Sequence, residues 1–519
     1  MRFSYTKHSG ISPKTESYLL PPNRAEIARN CKIYSSGLRP YYASLLSDDL
    51  SSSSSVTKIY YYLGQYWFEF SSDVDVQESP VAENTENRVY WTGDGLPKKT
   101  NETEATTGSG KYPISFYPLS VPTPDYAPTA ALGAAGTGDD RDISYVWTVV
   151  TSWGEEGLPS EASTVVVANQ GQTVNLSGMT LVWNDSQSYS LNSWVFPTVS
   201  TGFVYRCVTA GISGALEPDW NNTQDGDTTD NTVTWRAYKE DILTGSGAEK
   251  RIYRANSGAA SVSWRLLDTI AITATTYEDT TTDDDLEATI LPSADWSPPP
   301  DGLKGLVALS NGAFAGFVGK DVYLSEPNYP HAWPYGLSVS HDIVALATIG
   351  NALVVMTDRN PVIFNGTHPS AMTPKKLPQA RRCVSKSGVV NFPGGVLFPS
   401  PNGLEAINGT DLETITRDFV GKEEWADFYP ETFKSVFHDE KYFGFYSYSG
   451  EEGAIVFDTK TGDITTLDFC PDAVYVDEDT DTIYYIVSNS EIILRENGTS
   501  YPSRTSGILR EDGSYFLRE

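Results

Sequence analysis

A chain of 519 residues with 37 Lys and Arg against 67 Asp and Glu carries a formal charge of −30. That excludes a sequence-reading DNA binder, which needs a basic face. No apolar run approaches the roughly 20 residues of a membrane-spanning helix, and residues 1–10 lack signal-peptide character. The four cysteines, Cys31, Cys207, Cys383 and Cys470, are scattered without a CxxC pair, so neither a disulfide framework nor a zinc site is expected. Helical texture is confined to residues 25–29 and 423–428, while Tyr, Thr, Ser, Val and Gly dominate. The expected fold class is all-β.

Residues 1–115 read as an N-terminal arm followed by strands. Residues 30–46 look like an extended arm that contains a strand-like run at 31–34, and further strand-like runs follow at 55–70 and 88–92, with Leu63-Gly64-Gln65 as a turn. Residues 1–60 hold eight Lys and Arg against four Asp and Glu, opposite in sign to the whole. A Gly-, Pro-, Ala- and Thr-rich stretch at 108–138 has the composition of an ordered linker.

Residues 116–294 read as a second unit. Strand patterns at 142–167 flank the turn GEEGLPS, and 250–280 supplies strand, hairpin and final strand. Joined, the two halves resemble a fibronectin type III-like sandwich. Between them, at about 173–238, lies a small β-module with Trp183, Tyr189, Trp194, Tyr205, Trp220 and Trp235. Two readings stay open for these aromatics. Trp183, Trp194, Tyr205, Trp220 and Trp235 are candidates for stacking on sugar rings, or the rings form the core that a module of about 60 residues needs. The run 228–235, TTDNTVTW, half-matches the Asp-box hairpin of sialidases but has Thr where that motif needs Gly. The Asp-box is itself structural and gives no ground for a glycosidase.

A Pro-rich hinge at 295–300 opens the third unit, 295–500. Five segments begin near Leu306, Ile343, Val389, Phe433 and Ala473, spaced 37, 46, 44 and 40 residues apart. Each runs apolar stretch, turn cluster, apolar stretch, turn, apolar stretch; the first turns are SNG, IGN, PGG, HDEK and DEDTD. Four-stranded blades of a β-propeller need about 40–50 residues each. A blade buries neither face alone, so neighbours must stack. The expectation is a propeller of about six blades, closed by the N-terminal strands so that sheet edges are covered. Residues 501–519 read as a C-terminal arm.

No catalytic signature emerges. His8, His331, His341, His368 and His438 lack His or Cys neighbours at metal-ligand spacing, and GxSxG, HExxH and P-loop patterns are missing. Asp477, Asp479 and Asp481 imitate the start of a calcium loop, but Thr482 and Ser488 stand where Gly and Glu are needed, so a polar hairpin turn is expected. No cofactor or metal is expected, and the chain reads as a non-enzyme. Residues 359–404 contain no acid but include Arg359, Lys375, Lys376, Arg381, Arg382 and Lys386. That run is either a solvated loop or a docking patch for an acidic neighbour.

Four stretches carry a family resemblance: YVWTVVTSWGEEGLPSEAS (145–163), RIYRANSG (251–258), DWSPPPDGLKGLVALSNGAFAGFVGKDVYLSEPNYPHAWP (295–334) and RRCVSKSGVVNFPGGVLFPSPNGLEAI (381–407). In combination and order they resemble bacteriophage virion structural proteins similar in layout to the tail nozzle proteins of short-tailed phages. The resemblance spans most of residues 30–500. It implies a homo-oligomeric ring, six copies in that family, at the distal end of the portal–adaptor axis of a virion tail. The implied partners are a tail adaptor, fibre, spike or needle proteins, and genomic DNA passing without sequence recognition. A host-glycan adhesin using the inserted module and a glycan-degrading tail enzyme are the alternatives.

Overall fold

The structure, a computed structural model, describes residues 7–34, 37–41, 45–51, 55–81, 84, 86–257, 263–377, 380–487, 491–494, 507–509 and 515–516. It is all-β, built from many small sheets with a few single-turn helices.

Seven of the sheets pack in succession. The first holds Lys304–Ala308, Phe314–Val318, Asp321–Leu324 and Tyr335–Ser338; the second Ile343–Ile349, Ala352–Thr357, Val362–Asn365 and Thr373–Lys376. The third holds Val390–Phe392, Gly395–Ser400, Gly403–Asn408 and Asp411–Thr414. The fourth begins with Lys434–His438, Lys441–Tyr448, Glu451–Asp458 and Ile464–Leu467. The fifth holds Ala473–Asp477, Thr482–Val487, Glu491–Leu494 and, from the other end of the chain, Leu45–Asp49. The sixth is the hairpin Lys58–Tyr62 and Tyr66–Phe70; the seventh holds Asp75–Glu78, Val89–Thr92, Lys98–Thr100 and Tyr117–Pro118.

One apolar cluster joins each sheet to the next. Alternation along a strand divides side chains between the two faces, and here both faces are buried. In Ala352–Thr357, Leu353 and Val355 pack toward the first sheet, while Val354 and Met356 pack toward the third. This explains why the strand reads as a continuous apolar run. Each such side chain contributes on the order of 2 kcal/mol. Trp425 and Phe433 sit between the third and fourth sheets, and Val436 and Ile483 between the fourth and fifth. Trp67 and Tyr484 join the fifth to the sixth, and Phe68 and Trp91 the sixth to the seventh. Tyr90 of the seventh sheet then packs with Leu306, Phe314 and Trp333 of the first.

Several expectations need correction. The succession holds seven sheets rather than about six, because 55–70 and 88–92, expected within one closing unit, belong to separate sheets. The N-terminal strand that completes a C-terminal sheet is Leu45–Asp49, antiparallel to Glu491–Leu494. Cys31–Tyr34 instead forms a hairpin with Gly37–Pro40. Residues 25–29, expected helical, include the strand Ile27–Arg29, which lies parallel to Ile464–Leu467 on the fourth sheet. Tertiary pairing overrides weak local propensity there. The other expected helix is present as Lys422–Ala426. Most of the expected C-terminal arm lies outside the described residues. Within it, Gly507–Leu509 pairs with Ile27–Arg29, and Tyr515–Phe516 pairs with Gly507–Leu509.

The middle unit is two facing sheets. One orders Val166–Asn169, Asp140–Val150, Glu249–Ser257 and Arg265–Ala271; the other orders Thr129–Leu132, Val174–Ser177 and Tyr277–Asp279. Ile143, Tyr145, Trp147 and Val149 alternate inward against Leu176 and Tyr277. Val174–Ser177, expected inside the insertion, is thus a sandwich strand. The module's own sheets lie between Ser188 and Lys239.

Candidate functional site

Three of the four family-like stretches meet at the junction between the seventh sheet, the first sheet and the sandwich, and the fourth, 381–407, reaches the seventh sheet through Lys386. Adjacent carboxylates of the GEEG turn point opposite ways. Glu155 faces Lys99 on the seventh sheet, with Oε2 and Nζ 2.5 Å apart and both side chains buried. Glu156 faces the sandwich: its Oε1 accepts from Tyr253 Oη at 2.7 Å and Thr148 Oγ1 at 2.8 Å, and its Oε2 from Arg251 Nη1 at 2.8 Å. Burial, the largest single influence, would raise the Glu155 carboxyl, but the charge and hydrogen bond of Lys99 together with the nearby His331 and Arg88 outweigh it and hold the group below its ordinary range.

His331, from the EPNYPHAWP segment, donates from Nε2 to the Glu156 carbonyl at 3.1 Å. Burial pushes its pKa down to about 4, against the opposing pull of Glu155, so the ring is neutral. Trp296 and Tyr329 lie against it, with ring centroids 5.5 and 6.0 Å away. Arg88 donates to the Trp153 carbonyl at 3.3 Å and lies 4.7 Å over the Trp153 ring.

The inserted module is tied to the same region. Arg206 holds Asp301 through Nη2, at 2.8 and 3.1 Å to the two carboxylate oxygens. Lys98 pairs with Asp94 at 3.0 Å and with Asp225 of the module at 3.6 Å. Buried or half-buried charges therefore set how sandwich and module sit on the sheets.

The module's aromatics are core. Trp183, Trp194, Tyr205 and Trp235 are all at most 7% exposed. Trp220 is half-buried, with its ring centroid 4.1 Å from Tyr205 and 6.1 Å from Trp235. The expectation of sugar-stacking faces is corrected here, since the rings pack on one another and no open platform of several faces is left. The organising group is Asp230. Its Oδ2 accepts from Trp183 Nε1 at 2.8 Å and Trp235 Nε1 at 2.9 Å, and its Oδ1 accepts from Gly214 N at 2.7 Å. The partial Asp-box match thus marked the residue that holds the module together.

The six basic residues of 359–386 divide into two groups. Lys386 is ion-paired with Asp75 at 2.8 Å and Asp73 at 2.9 Å, and Arg381 with buried Glu405 at 3.3 Å. These two are corrected from docking residues to internal partners; their acids lie far away in sequence or beyond the acid-free run. Arg359, Lys375, Lys376 and Arg382 are exposed. Lys375 and Lys376 lie on the outer strand Thr373–Lys376 of the second sheet, every residue of which is exposed. Arg359 and Arg382 gather at one end of that sheet, where Asn360 donates to the Leu377 carbonyl at 3.5 Å and Cys383 N to the Thr357 carbonyl at 3.1 Å. Lysines on an edge also block edge-to-edge pairing.

Asp477 accepts from Asp479 N at 3.1 Å and Thr480 Oγ1 at 2.6 Å, the polar hairpin turn expected. Among the described residues, no group of three His, Cys, Asp or Glu side chains is placed to hold a metal, and no helix is long and apolar enough to cross a membrane.

No family model matches the chain, and no curated protein matches it. Among solved structures, the computationally designed Ika8 protein is similar at 10% identity and TM-score 0.29, covering 64% of this chain and 92% of its own. BamB from Moraxella catarrhalis is similar at 9% identity and TM-score 0.27, covering 65% and 98%. Saccharomyces cerevisiae Sqt1 is similar at 8% identity and TM-score 0.29, covering 88% and 98%. Likeness at this level carries no functional argument.

Proposed function

We propose that the chain is a structural component of a bacteriophage tail. In this reading its seven packed sheets are the blades of one propeller, and the sandwich on their rim has fibronectin type III-like topology. Several copies form a ring at the distal end of the portal–adaptor axis, through which genomic DNA is retained and released. The observation that carries the reading is where the family-like stretches fall. Glu155 and Glu156, Arg251 and Tyr253, Asp301 and His331, and Lys386 are the residues that join sandwich, module and sheets. A component that bears load along an axis needs its parts fixed relative to one another, and buried or half-buried charge pairs fix them.

The charge supports the same reading. A chain of net charge −30 repels phosphates, so DNA slides rather than sticks, with counterions screening the remainder. The exposed basic edge of Arg359, Lys375, Lys376 and Arg382 is the place for an acidic neighbour, a second copy or the tail adaptor. Ring closure requires heterologous contacts between copies. The adhesin alternative loses its stacking platform with the burial of the module's aromatics. Mass photometry of the purified chain tests the ring. A species several times 56.9 kDa supports it, and a monomer at every concentration contradicts it.

A further inference from the structure

Lys386 lies in the turn that leads into Val390–Phe392, the first strand of the third sheet. Asp75 opens Asp75–Glu78, an edge strand of the seventh sheet. Asp75–Glu78 packs beside Lys304–Ala308 of the first sheet, and that strand packs beside Ile343–Ile349 of the second. The four first strands follow one another around the centre, so the third and seventh sheets are separated by two others. Yet Lys386 Nζ is 2.8 Å from Asp75 Oδ2 and 2.9 Å from Asp73 Oδ2. A side chain makes that contact only by crossing the middle of the arrangement. The first sheet joins in: Gly305 N donates to Asp75 Oδ2 at 2.9 Å. Gly305 has φ +67°, and a Cβ there would lie 2.5 Å from the Phe317 ring. Only glycine turns that amide toward the carboxylate without displacing the ring.

We infer that the hole on the propeller axis is shut at one end by Lys386 bound to Asp73 and Asp75, and that any passage for DNA is bounded by several copies of the chain. The inference rests on the propeller reading proposed above. One carboxylate, one ammonium and one amide tie the third, seventh and first sheets at the hub. The turn carrying Lys386 is itself anchored, since Ser435 N of the fourth sheet donates to the Ser387 carbonyl at 2.8 Å. A strand of nucleic acid on the axis would have to break these contacts and separate the half-buried Lys386 and Asp75. A lumen enclosed by copies needs none of that.

A water-soluble carbodiimide applied to the native full chain tests the closure. It activates a carboxylate, and a lysine in contact displaces the leaving group to form an amide with loss of the elements of water. The expected product links the peptide carrying Lys386 to the peptide carrying Asp73 and Asp75. A mixture of light and nitrogen-15-labelled chains gives only unmixed links, because the contact is within one copy. Lys386→Arg keeps the charge and abolishes the link. The inference is overturned if no such link forms while Lys386 is acetylated in the native protein as readily as exposed Lys375. It is equally overturned if a density map shows seven sheets around an open hole. That second result would leave the propeller and the ring intact, so failure of the closure is separable from failure of the proposed function.

Discussion

Lys99 and Glu155 meet as a buried ion pair across the junction of sheet and sandwich, 56 residues apart in sequence. Breaking such a pair on one side leaves an uncompensated charge, at a cost of about 3–5 kcal/mol, whereas replacing both partners by apolar groups is close to neutral. Glu155→Leu alone and Lys99→Met alone are therefore expected to lower the first calorimetric transition sharply. The double variant is expected to recover most of the loss. Additive losses in the double variant contradict the pairing.

Acid should weaken the same junction in two stages. His331 is held neutral with its pKa pushed down to about 4, from an ordinary value of 6.5. As pH falls below 6.5 the unfolded chain takes a proton that the folded chain refuses, so stability declines until about pH 4 and then levels for this group. The decline amounts to about 3 kcal/mol. Glu155 is held below its ordinary range, so its contribution is present above the ordinary carboxylate pKa and is lost at still lower pH. Urea unfolding between pH 7 and 4 measures the first stage. In His331→Asn that stage is expected to flatten.

Asp230 satisfies two buried indoles at once. Asp230→Ala orphans both N–H groups and the Gly214 amide, each at about 1–3 kcal/mol. Limited proteolysis is expected to cut within 188–239 in this variant while the seven-sheet region stays protected. Unchanged protection of the module contradicts the role assigned to Asp230.

The basic residues of 359–386 separate by function. Lys375→Ser and Lys376→Ser remove exposed charge, and such surface changes stay within about 0.5 kcal/mol. Together they are expected to leave thermal stability unchanged and to lower particle assembly. Arg381→Ser instead strands buried Glu405 and is expected to lower stability. Melting temperature measured beside infectivity distinguishes the two classes.

The cysteines are expected to be inert. Burial pushes the thiols of Cys31 and Cys383 up to about 12, and those of Cys207 and Cys470 up to about 11. Thiolate is the reactive form. A thiol reagent at pH 8 should modify the chain only after denaturation; rapid labelling of the native chain contradicts this.

Local patterns made much of the fold legible. The strands of 304–357 and 390–414 were readable because two-sided burial leaves unbroken apolar runs such as ALVVM, with Gly-rich turns between them. The succession of seven was not readable, because 55–70 and 88–92 look alike in texture and only their partners place them in different sheets. Leu45–Asp49 was hidden for the same reason, since its pairing strand lies some 440 residues later. In the candidate site, charge runs misled where pairing was long-range. Lys386 reads as part of a free basic stretch until Asp73 and Asp75 arrive from the opposite end of the chain. The aromatics of the module stood out in the sequence, but aromatic content alone does not say which face is open. Asp230, which decides that, carried only a partial motif.

The measurement that tests the central claim most directly is the position of this chain in the virion, read by averaging cryo-electron images of intact particles. The account predicts a closed ring of copies centred on the tail axis at its distal end. It also predicts a lumen between the copies and a filled hub within each propeller. Density for the chain away from the axis, as a peripheral appendage, or no density for it in the particle, would contradict the account.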